Sequence, residues 1–328
     1  MEIISIVPNL GVEGGLVTIE CRGFELNGAS KTFPRIRFGD VPAHLVTASS
    51  TRIVARIPQG VTAGLVYLKV GARTCRPYPF QVAKTLASGL HPVANPVIDK
   101  EGCVLTTFSG ARGQRVEFSL FKITPEGAKH PLLAEIMNPT GMVFDSQGQL
   151  YISSRHNGSV HRITLDGRLE RFAGDLGVAT GLAMDKEDNL FVGDRSGVLY
   201  RVTPHKEVST FANLEPSVSA YHMAFGPDER LYVSGPTIST CDSIYAIDRS
   251  GAVSDYFAGL GRPQGLAFDG QGALYIGASY KGKKGVFRIA ADLSITHVVS
   301  APIPVGLAFD KAGHLIVADN ESLHSVIV

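Results

Sequence analysis

Tyr221 and His222 form the adjacent pair in this sequence whose side chains are best suited to acid–base chemistry. A histidine can act as a general base or bind a metal near neutral pH, and a phenol can orient a substrate. We therefore predict that His222 is a catalytic base and that Tyr221 assists it. The alternative is that His222 fills space beside Tyr221 and donates a hydrogen bond to a backbone carbonyl.

A sequence repeat surrounds this pair. One copy is Pro263-Gln264-Gly265-Leu266-Ala267-Phe268-Asp269, which reads as a strand and a turn, and the apolar run Leu274-Tyr275-Ile276 follows it. The turns of the copies fall at residues 99, 145, 185, 226, 269 and 310, so successive copies are 46, 40, 41, 43 and 41 residues apart. Several short strands per unit at this period predict a six-bladed β-propeller.

Comparison of the six copies separates residues that serve every blade from residues that differ. An aspartate recurs at the turn in five copies, which predicts that it caps backbone amides there. His222 and Asn95 instead occupy a position that holds glycine in the other four copies. Three blades separate Asn95 from His222, so we expect the two side chains to face each other across the central channel.

The residues just before this position are expected to ring the mouth of the channel, where propellers commonly bind ligands. They are Ala94, Thr140, Thr180, Tyr221, Gln264 and Val305. We predict that Thr140, Thr180 and Gln264 contact a substrate, together with Asn95. His91 lies just before the first inner strand, and it is a further substrate-binding residue that could pair with His222.

Charged residues in the loops between second and third strands define a possible rim around the mouth. Arg112, Arg155, Arg195 and Asp242 lie in these loops, and Arg262 lies near the start of another inner strand. A locally positive rim would suit an anionic small molecule, so we predict that these five residues bind substrate. The alternative is that they are ordinary solvated loop charges.

Residues 1–83 do not share the repeat and read as a small β-sandwich, because several short alternating strands are separated by glycine-rich turns. The segment resembles an immunoglobulin-like TIG (IPT) domain in Pro8, Gly14-Gly15, Val17-Thr18-Ile19, Gly23-Phe24, Arg37-Phe38-Gly39-Asp40 and Ile57-Pro58-Gln59-Gly60. This resemblance implies a spacer or a protein-contact surface without catalytic residues.

Residues 84–328 are predicted to form the propeller. The chain ends after a third strand, whereas residues 84–90 read as a spare outer strand. We expect this N-terminal outer strand to complete the last blade and close the ring, which removes an exposed sheet edge. The predicted fold is therefore all-β, with an Ig-like sandwich followed by a closed six-bladed propeller.

The repeats resemble NHL-type and gluconolactonase-like (senescence-marker family) propellers, and lyases of the virginiamycin B type use similar units. The gluconolactonase resemblance implies a hydrolase in which Glu, Asn and Asp side chains near the channel mouth hold a divalent metal such as calcium. Calcium needs several oxygen ligands, but the six mouth positions contain no carboxylate. We therefore predict no metal site from the sequence, although the loop residues Asp242 and Glu321 could lean inward.

Composition excludes some partners and gives an expected location. The 31 basic and 30 acidic side chains leave a net charge of +1, which favours neither nucleic acid nor an anionic membrane as a partner. Met1 leads directly into Glu2-Ile3-Ile4-Ser5-Ile6, without the pattern of a signal peptide. We expect a cytoplasmic protein whose four scattered cysteines are reduced and hold no zinc.

Two functions of different classes follow from these features. The first is binding of a small polar or anionic ligand at the channel mouth, with hydrolysis or elimination within that ligand. The second is a non-catalytic NHL-type scaffold, in which the sandwich and the propeller rim contact other proteins. A deep mouth with free histidine nitrogens would favour the first function, and a plugged channel with an apolar patch would favour the second.

Overall fold

The computed structural model describes residues 1–25, 33–62 and 64–328, which fold into short β-strands joined by turns. Contacts between Cα atoms divide the chain into two compact units. The first comprises Met1–Lys84, Lys281–Arg288 and Ile295–Ile303, and the second comprises Thr85–Tyr280, Ile289–Ser294 and Pro304–Val328. Among the described residues, no helix has the length and apolar character needed to cross a membrane.

Residues 1–83 contain short strands, and all of those described except β2 (Leu10–Gly11) and β11 (Gln81–Val82) form two sheets over one core. In chain order they are β1 (Glu2–Val7), β2 (Leu10–Gly11), β3 (Leu16–Arg22), β4 (Arg35–Phe38), β5 (Val41–Pro42), β6 (His44–Ala48), β7 (Arg52–Arg56), β8 (Leu65–Val70), β9 (Arg73–Thr74), β10 (Tyr78–Pro79) and β11 (Gln81–Val82). One sheet has the order β1-β3-β7-β6, and the other has the order β10-β8-β4-β5 with β9 paired to β8. Alternate apolar residues of both sheets share one hydrophobic core, as in an immunoglobulin-like sandwich.

Cys21 and Cys75 are both buried in this core as free thiols. Burial, with a smaller contribution from the neighbouring Cys75, raises the pKa of Cys21 to about 11. The Cys21 thiol is therefore protonated at neutral pH and packs as a small apolar group.

The strands of residues 84–328 form six four-stranded antiparallel blades. The first strand is β12 (Lys84–Ala87), which belongs to blade 6; blade 1 consists of β13 (Val97–Ile98), β14 (Val104–Thr107), β15 (Leu120–Ile123) and β16 (Lys129–Leu133), and blade 2 of β17 (Pro139–Phe144), β18 (Leu150–Ser154), β19 (Ser159–Ile163) and β20 (Leu169–Ala173). Blade 3 consists of β21 (Ala179–Met184), β22 (Leu190–Asp194), β23 (Val198–Val202) and β24 (Val208–Asn213), and blade 4 of β25 (His222–Phe225), β26 (Leu231–Ser234), β27 (Asp242–Ile247) and β28 (Val253–Leu260). Blade 5 consists of β29 (Leu266–Phe268), β30 (Leu274–Tyr280), β31 (Lys283–Ile289) and β32 (Ile295–Ser300), and the other strands of blade 6 are β33 (Gly306–Phe309), β34 (Leu315–Ala318) and β35 (Leu323–Val326).

The ring is closed as the sequence predicted. The sheet of blade 6 has the order β12-β35-β34-β33, so β12 supplies its outer strand. Thr85 Oγ1 in β12 hydrogen-bonds His324 Nδ1 in β35 at 3.1 Å. The innermost strands contact one another from β13 through β33, and β33 contacts β13.

The repeated glycine is required by the close approach of neighbouring inner strands. A Cβ added at Gly141 would collide with the Thr180 carbonyl oxygen of the next blade, and one added at Gly181 would lie 2.5 Å from the Tyr221 carbonyl oxygen. At Gly306 the obstruction is the carbonyl oxygen of Ala94, which belongs to the segment leading into blade 1. The glycines therefore allow adjacent blades to pack backbone against backbone around the channel.

The turn aspartates cap backbone amides, which confirms the structural role predicted for them. Asp145 Oδ1 accepts hydrogen bonds from the amides of Gln147, Gly148 and Gln149 at 3.1, 2.8 and 2.8 Å. Asp269 Oδ1 accepts from Gln271 and Ala273 in the same way. These carboxylates hold the first turn in five of the six blades, and the oxygen that accepts the amide hydrogen bonds is not available to a ligand.

We predict that Gly306→Ala lowers the free energy of unfolding by about 1–3 kcal/mol, because the new methyl group would force the backbones of blades 6 and 1 apart. Gly270→Ala is the matched control, since nothing lies within 4 Å of a Cβ added at that position. Urea denaturation followed by circular dichroism measures both variants. Equal stability of the two variants would contradict the close-approach explanation.

Candidate functional site

The six inner strands enclose a channel cavity of about 310 Å³. Its walls are mostly apolar, with Met142, Leu182 and Leu266 among the residues that line it. Asn95 and His222 line the same cavity. The channel is therefore not completely plugged, and it brings together the two residues that replace the repeated glycine.

His222 is a buried, neutral imidazole whose nitrogens have no partner. Its side chain is almost closed off, since the residue is 2% exposed, and neither Nδ1 nor Nε2 has a hydrogen-bond partner among the described residues. Burial lowers the pKa of His222 to about 4, so the ring carries no charge at neutral pH. The bond from His222 to a backbone carbonyl, which the alternative interpretation requires, is not present.

Asn95 occupies the equivalent position in blade 1, and both polar atoms of its amide hydrogen-bond the backbone. Asn95 Nδ2 donates to the Leu266 carbonyl at 3.0 Å, and Asn95 Oδ1 accepts from the Leu307 amide at 3.1 Å. One side chain therefore links blade 1 to blades 5 and 6. Substrate binding by Asn95 stays a prediction, and these two bonds are the contacts that a ligand would have to replace.

The predicted mouth residues on blades 2 to 4 donate hydrogen bonds from their hydroxyl groups to backbone carbonyls. Thr140 and Thr180 are buried, and their hydroxyls donate to the carbonyls of Asn138 and Gly193 at 3.4 and 2.9 Å. The Tyr221 hydroxyl donates to the Glu215 carbonyl, and burial raises the pKa of the phenol above its ordinary value. The hydroxyl proton of Tyr221 is therefore already used in a hydrogen bond to a backbone carbonyl.

The remaining mouth residues lie nearer the surface. Gln264 is half-buried, and its backbone carbonyl accepts a hydrogen bond from Ser234 Oγ at 2.5 Å. His91 is exposed and lies edge-on to Phe108, with ring centroids 6.2 Å apart. His91 is not among the residues that line the channel cavity, so the structure does not bring it together with His222 there.

Three of the predicted arginines come together on one face. Arg155 is half-buried, and burial, followed by the positive charges of Arg195 and Arg112, lowers the pKa of its guanidinium. We call the face that carries Arg112, Arg155 and Arg195 the arginine face. The loops of these residues join second to third strands, so this face also contains the segments that lead into the inner strands.

The polar contacts of these arginines are to neutral groups. Arg155 Nη2 donates to Ser109 Oγ and the Gly110 carbonyl at 3.3 and 3.1 Å, whereas its buried Nε has no partner among the described residues. Arg195 Nη2 donates to the Val218 carbonyl at 2.7 Å. Arg112 is exposed. No carboxylate of the described chain forms an ion pair with any of the three guanidinium groups.

Sequence analysis missed the residue that positions the loop of Arg112. Asn138 is 1% exposed, and its Nδ2 donates to the carbonyls of Gly110 and Ala111 at 2.9 Å each. Its Oδ1 accepts from the Gly113 amide at 2.7 Å. Asn138 also has a positive φ of 46°, which asparagine tolerates better than most residues. The sequence feature that could have identified Asn138 is its position two residues before the predicted mouth residue Thr140.

Asp242 and Arg262 lie together in blade 4 and its exit loop, but not as an ion pair. Asp242 Oδ1 accepts from the amide and hydroxyl of Thr237 at 2.9 and 2.7 Å, and its Oδ2 accepts from the Arg262 amide at 3.3 Å. Asp242 is buried, and the Arg262 side chain is exposed. The carboxylate therefore braces two loops.

The donor groups at the mouth do not fit a calcium ion. The hydroxyls of Thr140, Thr180 and Tyr221 donate to backbone carbonyls, and none of them hydrogen-bonds a carboxylate of the described residues. The acidic cluster found among the described residues, Asp99 with Glu101 and Cys103, lies at a first turn. Lys122 Nζ is 2.9 Å from Asp99 and 2.6 Å from Glu101, so an ammonium group already pairs with both carboxylates. We derive no chemistry through a metal.

A second cavity, of about 580 Å³, lies between the turns of blades 3 and 4 and was not predicted. Arg201 in β23 is among its lining residues. A signal for it was present in the repeat, because blade 3 has Ser209 where blade 2 has Glu170.

Comparison with known protein families identifies residues 1–83 as an IPT/TIG domain. The rest of the chain structurally resembles six-bladed propellers such as virginiamycin B lyase and gluconolactonase. A search of curated proteins finds no match to this sequence.

Three solved structures illustrate the likeness. An auxiliary nutrient-binding protein from Bacteroides ovatus aligns with 99% of this chain and 98% of its own, at 12% identity and a TM-score of 0.53. A catalytically inactive variant of virginiamycin B lyase from Staphylococcus aureus, with quinupristin, aligns over 95% and 100%, at 15% identity and a TM-score of 0.55. A gluconolactonase from Xanthomonas campestris aligns over 74% and 87%, at 20% identity and a TM-score of 0.61. At these identities the likeness establishes the fold.

We predict that His222 makes stability fall as the pH drops from about 6.5 to about 4. The unfolded chain binds a proton on this histidine near its ordinary pKa of 6.5, whereas the folded protein binds it only near pH 4. The full loss is about 3 kcal/mol, because one pKa unit corresponds to about 1.4 kcal/mol.

The measurement is urea denaturation of the wild type and His222→Leu at several pH values between 4 and 7. Leucine keeps a similar volume and does not titrate, and every other histidine contributes equally to both curves. Parallel curves would show that His222 titrates normally and is not buried in the channel.

Proposed function

We propose that this protein binds a small anionic molecule, of the size and polarity of a sugar acid, on the arginine face of its propeller. The carrying observation is the group of Arg112, Arg155 and Arg195, which has no carboxylate partner among the described residues. A ligand carboxylate would supply the missing negative charge.

The electrostatic cost of the cluster supports this proposal. Arg155 is half-buried, and its burial, followed by the positive charges of Arg195 and Arg112, lowers the pKa of its guanidinium. Partly desolvated charges of one sign repel each other more strongly than charges in water, and an orphaned Nε–H adds an unsatisfied donor. An anion within reach of Arg155 would accept a hydrogen bond from this Nε–H and would also reduce the repulsion between the arginines. Both effects would make the free energy of binding more favourable.

The loops that carry these arginines are held in place before any ligand binds. Asn138 fixes the loop of Arg112, and the Arg155 amide donates to the Asn138 carbonyl at 3.2 Å. The Arg195 guanidinium is bound to the loop that leads into blade 4. Because little ordering remains to be done on binding, less of the interaction energy is lost as conformational entropy.

The similarity to auxiliary nutrient-binding proteins over nearly the full chain is in keeping with a binding function. In this interpretation the polar groups of Thr140, Thr180, Gln264 and Asn95 support the mouth, and the arginines make the ionic contacts. Protein contact through the IPT/TIG domain stays a prediction.

A second candidate function is catalysis by His222 on a ligand that reaches the channel cavity. The favouring observation is that both ring nitrogens are free of protein partners although the residue is buried. The neutral ring is in the form that accepts a proton, as a base for elimination or lactone hydrolysis requires. A pKa near 4 makes it a weak base at neutral pH, and for this reason we place binding first.

For binding, we predict that D-gluconate binds the wild type and that Arg155→Gln weakens this binding about tenfold or more, because a charged hydrogen bond is lost. Arg112→Gln should weaken it about two- to fivefold, as expected for an exposed charge. Isothermal titration calorimetry at low ionic strength measures both effects, and added salt should reduce the affinity of the wild type.

Arg168→Gln is the matched control, because Arg168 is exposed and pairs with Asp166 at a turn between third and fourth strands, on the opposite face. It should bind gluconate as the wild type does. The proposal fails if gluconate, glucarate and phosphate all give no saturable heat, or if Arg168→Gln and Arg155→Gln have the same effect.

For catalysis, we predict that any hydrolysis of glucono-δ-lactone above the spontaneous rate is lost in His222→Leu while gluconate affinity is kept. The rate should rise with pH through about 4 and then level off, because only the unprotonated ring accepts a proton. A pH-stat assay of both proteins measures this. Equal rates for the two proteins would remove His222 from any catalytic role.

A further inference from the structure

The cavity between blades 3 and 4 lies on the face opposite the arginine face. Its wall includes the first turn of blade 3, from Asp185 to Asn189, and Gly226 and Glu229 in the first turn of blade 4. Its volume of about 580 Å³ is within the range of about 300–1,000 Å³ that is usual for small-molecule sites. It is the larger of the two cavities described above and does not share a polar residue with the channel.

Three phenylalanines form an aromatic wall in this cavity. Phe191 packs edge-on against Phe211 and Phe225, with ring centroids 4.8 and 5.2 Å apart and interplanar angles of 74° and 71°. Phe211 and Phe225 are only half-buried, so part of their ring surface faces the cavity. Such a surface favours a flat apolar or aromatic group.

Three cations line this cavity, and Arg201 is the one that has no ion-pair partner among the described residues, since Lys186 and Arg249 pair with Glu229. Arg201 lies beside Phe191 in the sheet, with its Nε buried and without a hydrogen-bond partner among the described residues. No described carboxylate comes within ion-pair distance of its guanidinium. A partly buried cation is normally paired, so the absence of a partner calls for an explanation.

Comparison of equivalent positions in blades 1, 2 and 3 shows that Arg201 lacks the acidic partner that the cation has in the other two blades. In blade 2 the equivalent residue is Arg162, which lies opposite Glu170 on the outer strand and donates to Glu170 Oε1 from Nε at 2.9 Å. In blade 3, Arg201 lies opposite Ser209 at the same register. In blade 1 the cation at this place, Lys122, pairs with Asp99 and Glu101. Blade 3 therefore has the cation but no acid that pairs with it.

The acidic residues around the cavity are already engaged or lie at its edge. Glu229 is paired with both Lys186 and Arg249, and these bonds lower its pKa. Asp185 accepts from the amides of its own turn at 3.0 and 2.8 Å, and Asp248 accepts likewise from Ser250 and Ala252. Glu187 is exposed. The positive charge of Arg201 is therefore left for a ligand.

We propose that this cavity is a second binding site, which takes a small aromatic carboxylic acid. The carboxylate accepts hydrogen bonds from the Arg201 guanidinium in the place that Glu170 takes beside Arg162. The aromatic ring packs against Phe191, Phe211 and Phe225. This site is separate from the arginine face, and neither proposal depends on the other.

The test uses 2-naphthoate as the probe, since the protein contains no tryptophan and the probe fluorescence is read without that background. We expect saturable binding to the wild type. Arg201→Met should weaken it about tenfold or more, because the charged hydrogen bonds to the carboxylate are lost. The neutral analogue 2-naphthalenemethanol should bind more weakly to the wild type and equally to both proteins.

Ser209→Glu is the decisive variant, because it restores the acid found in blade 2. Ser209 is exposed, so the new carboxylate enters without a large desolvation cost. It should pair with Arg201, leave the fold intact by urea denaturation, and reduce naphthoate affinity as strongly as Arg201→Met. Arg162→Met and Arg155→Gln are the controls, and both should bind naphthoate as the wild type does.

Two results would overturn the proposal. One is the absence of saturable naphthoate binding to the wild type. The other is binding that Arg201→Met and Ser209→Glu leave unchanged, or that Arg155→Gln abolishes, which would place the probe elsewhere. Failure of gluconate to bind has no bearing on this outcome, since the two experiments use different ligands and different arginines.

Discussion

The close packing of inner strands around the channel is the constraint on which the other features depend. Where Gly141, Gly181 and Gly306 stand, the backbone of the next blade leaves no room for a side chain. The blades therefore meet backbone to backbone at these points, and the channel between them stays narrow. A residue with a side chain at the same position must direct it into the channel or across to a neighbouring blade.

Asn95 and His222 show these two outcomes at equivalent positions. Asn95 hydrogen-bonds the Leu266 carbonyl and the Leu307 amide, and these bonds join blade 1 to blades 5 and 6 where the ring closes. His222 makes no hydrogen bond among the described residues, and burial keeps it neutral. The same departure from the repeat is hydrogen-bonded to the backbone in blade 1, whereas in blade 4 it leaves an unpaired polar group beside a cavity. Such unused groups are costly to bury and are therefore informative about function.

The unpaired arginines extend the same reasoning to the two faces of the propeller. Arg155 lies among other cations on the arginine face, and Arg201 lies beside phenylalanines on the opposite face. Arg162 shows that this fold can place an acid beside such an arginine. The contrast between paired and unpaired copies within one chain is evidence that does not require a second protein.

The sequence by itself determined the blade number, the turn aspartates, the closing outer strand and the IPT/TIG domain, because these depend on local patterns that recur at a fixed period or match a known motif. It also singled out His222 and Asn95 as departures from the repeat. Only the tertiary structure decided which polar groups are satisfied, because Asn95 and Tyr221 bond to carbonyls that no spacing rule reveals. The cavity beside Arg201 likewise exists only because blades 3 and 4 pack side by side. Its unpaired arginine results from the strand register that sets Ser209 opposite Arg201.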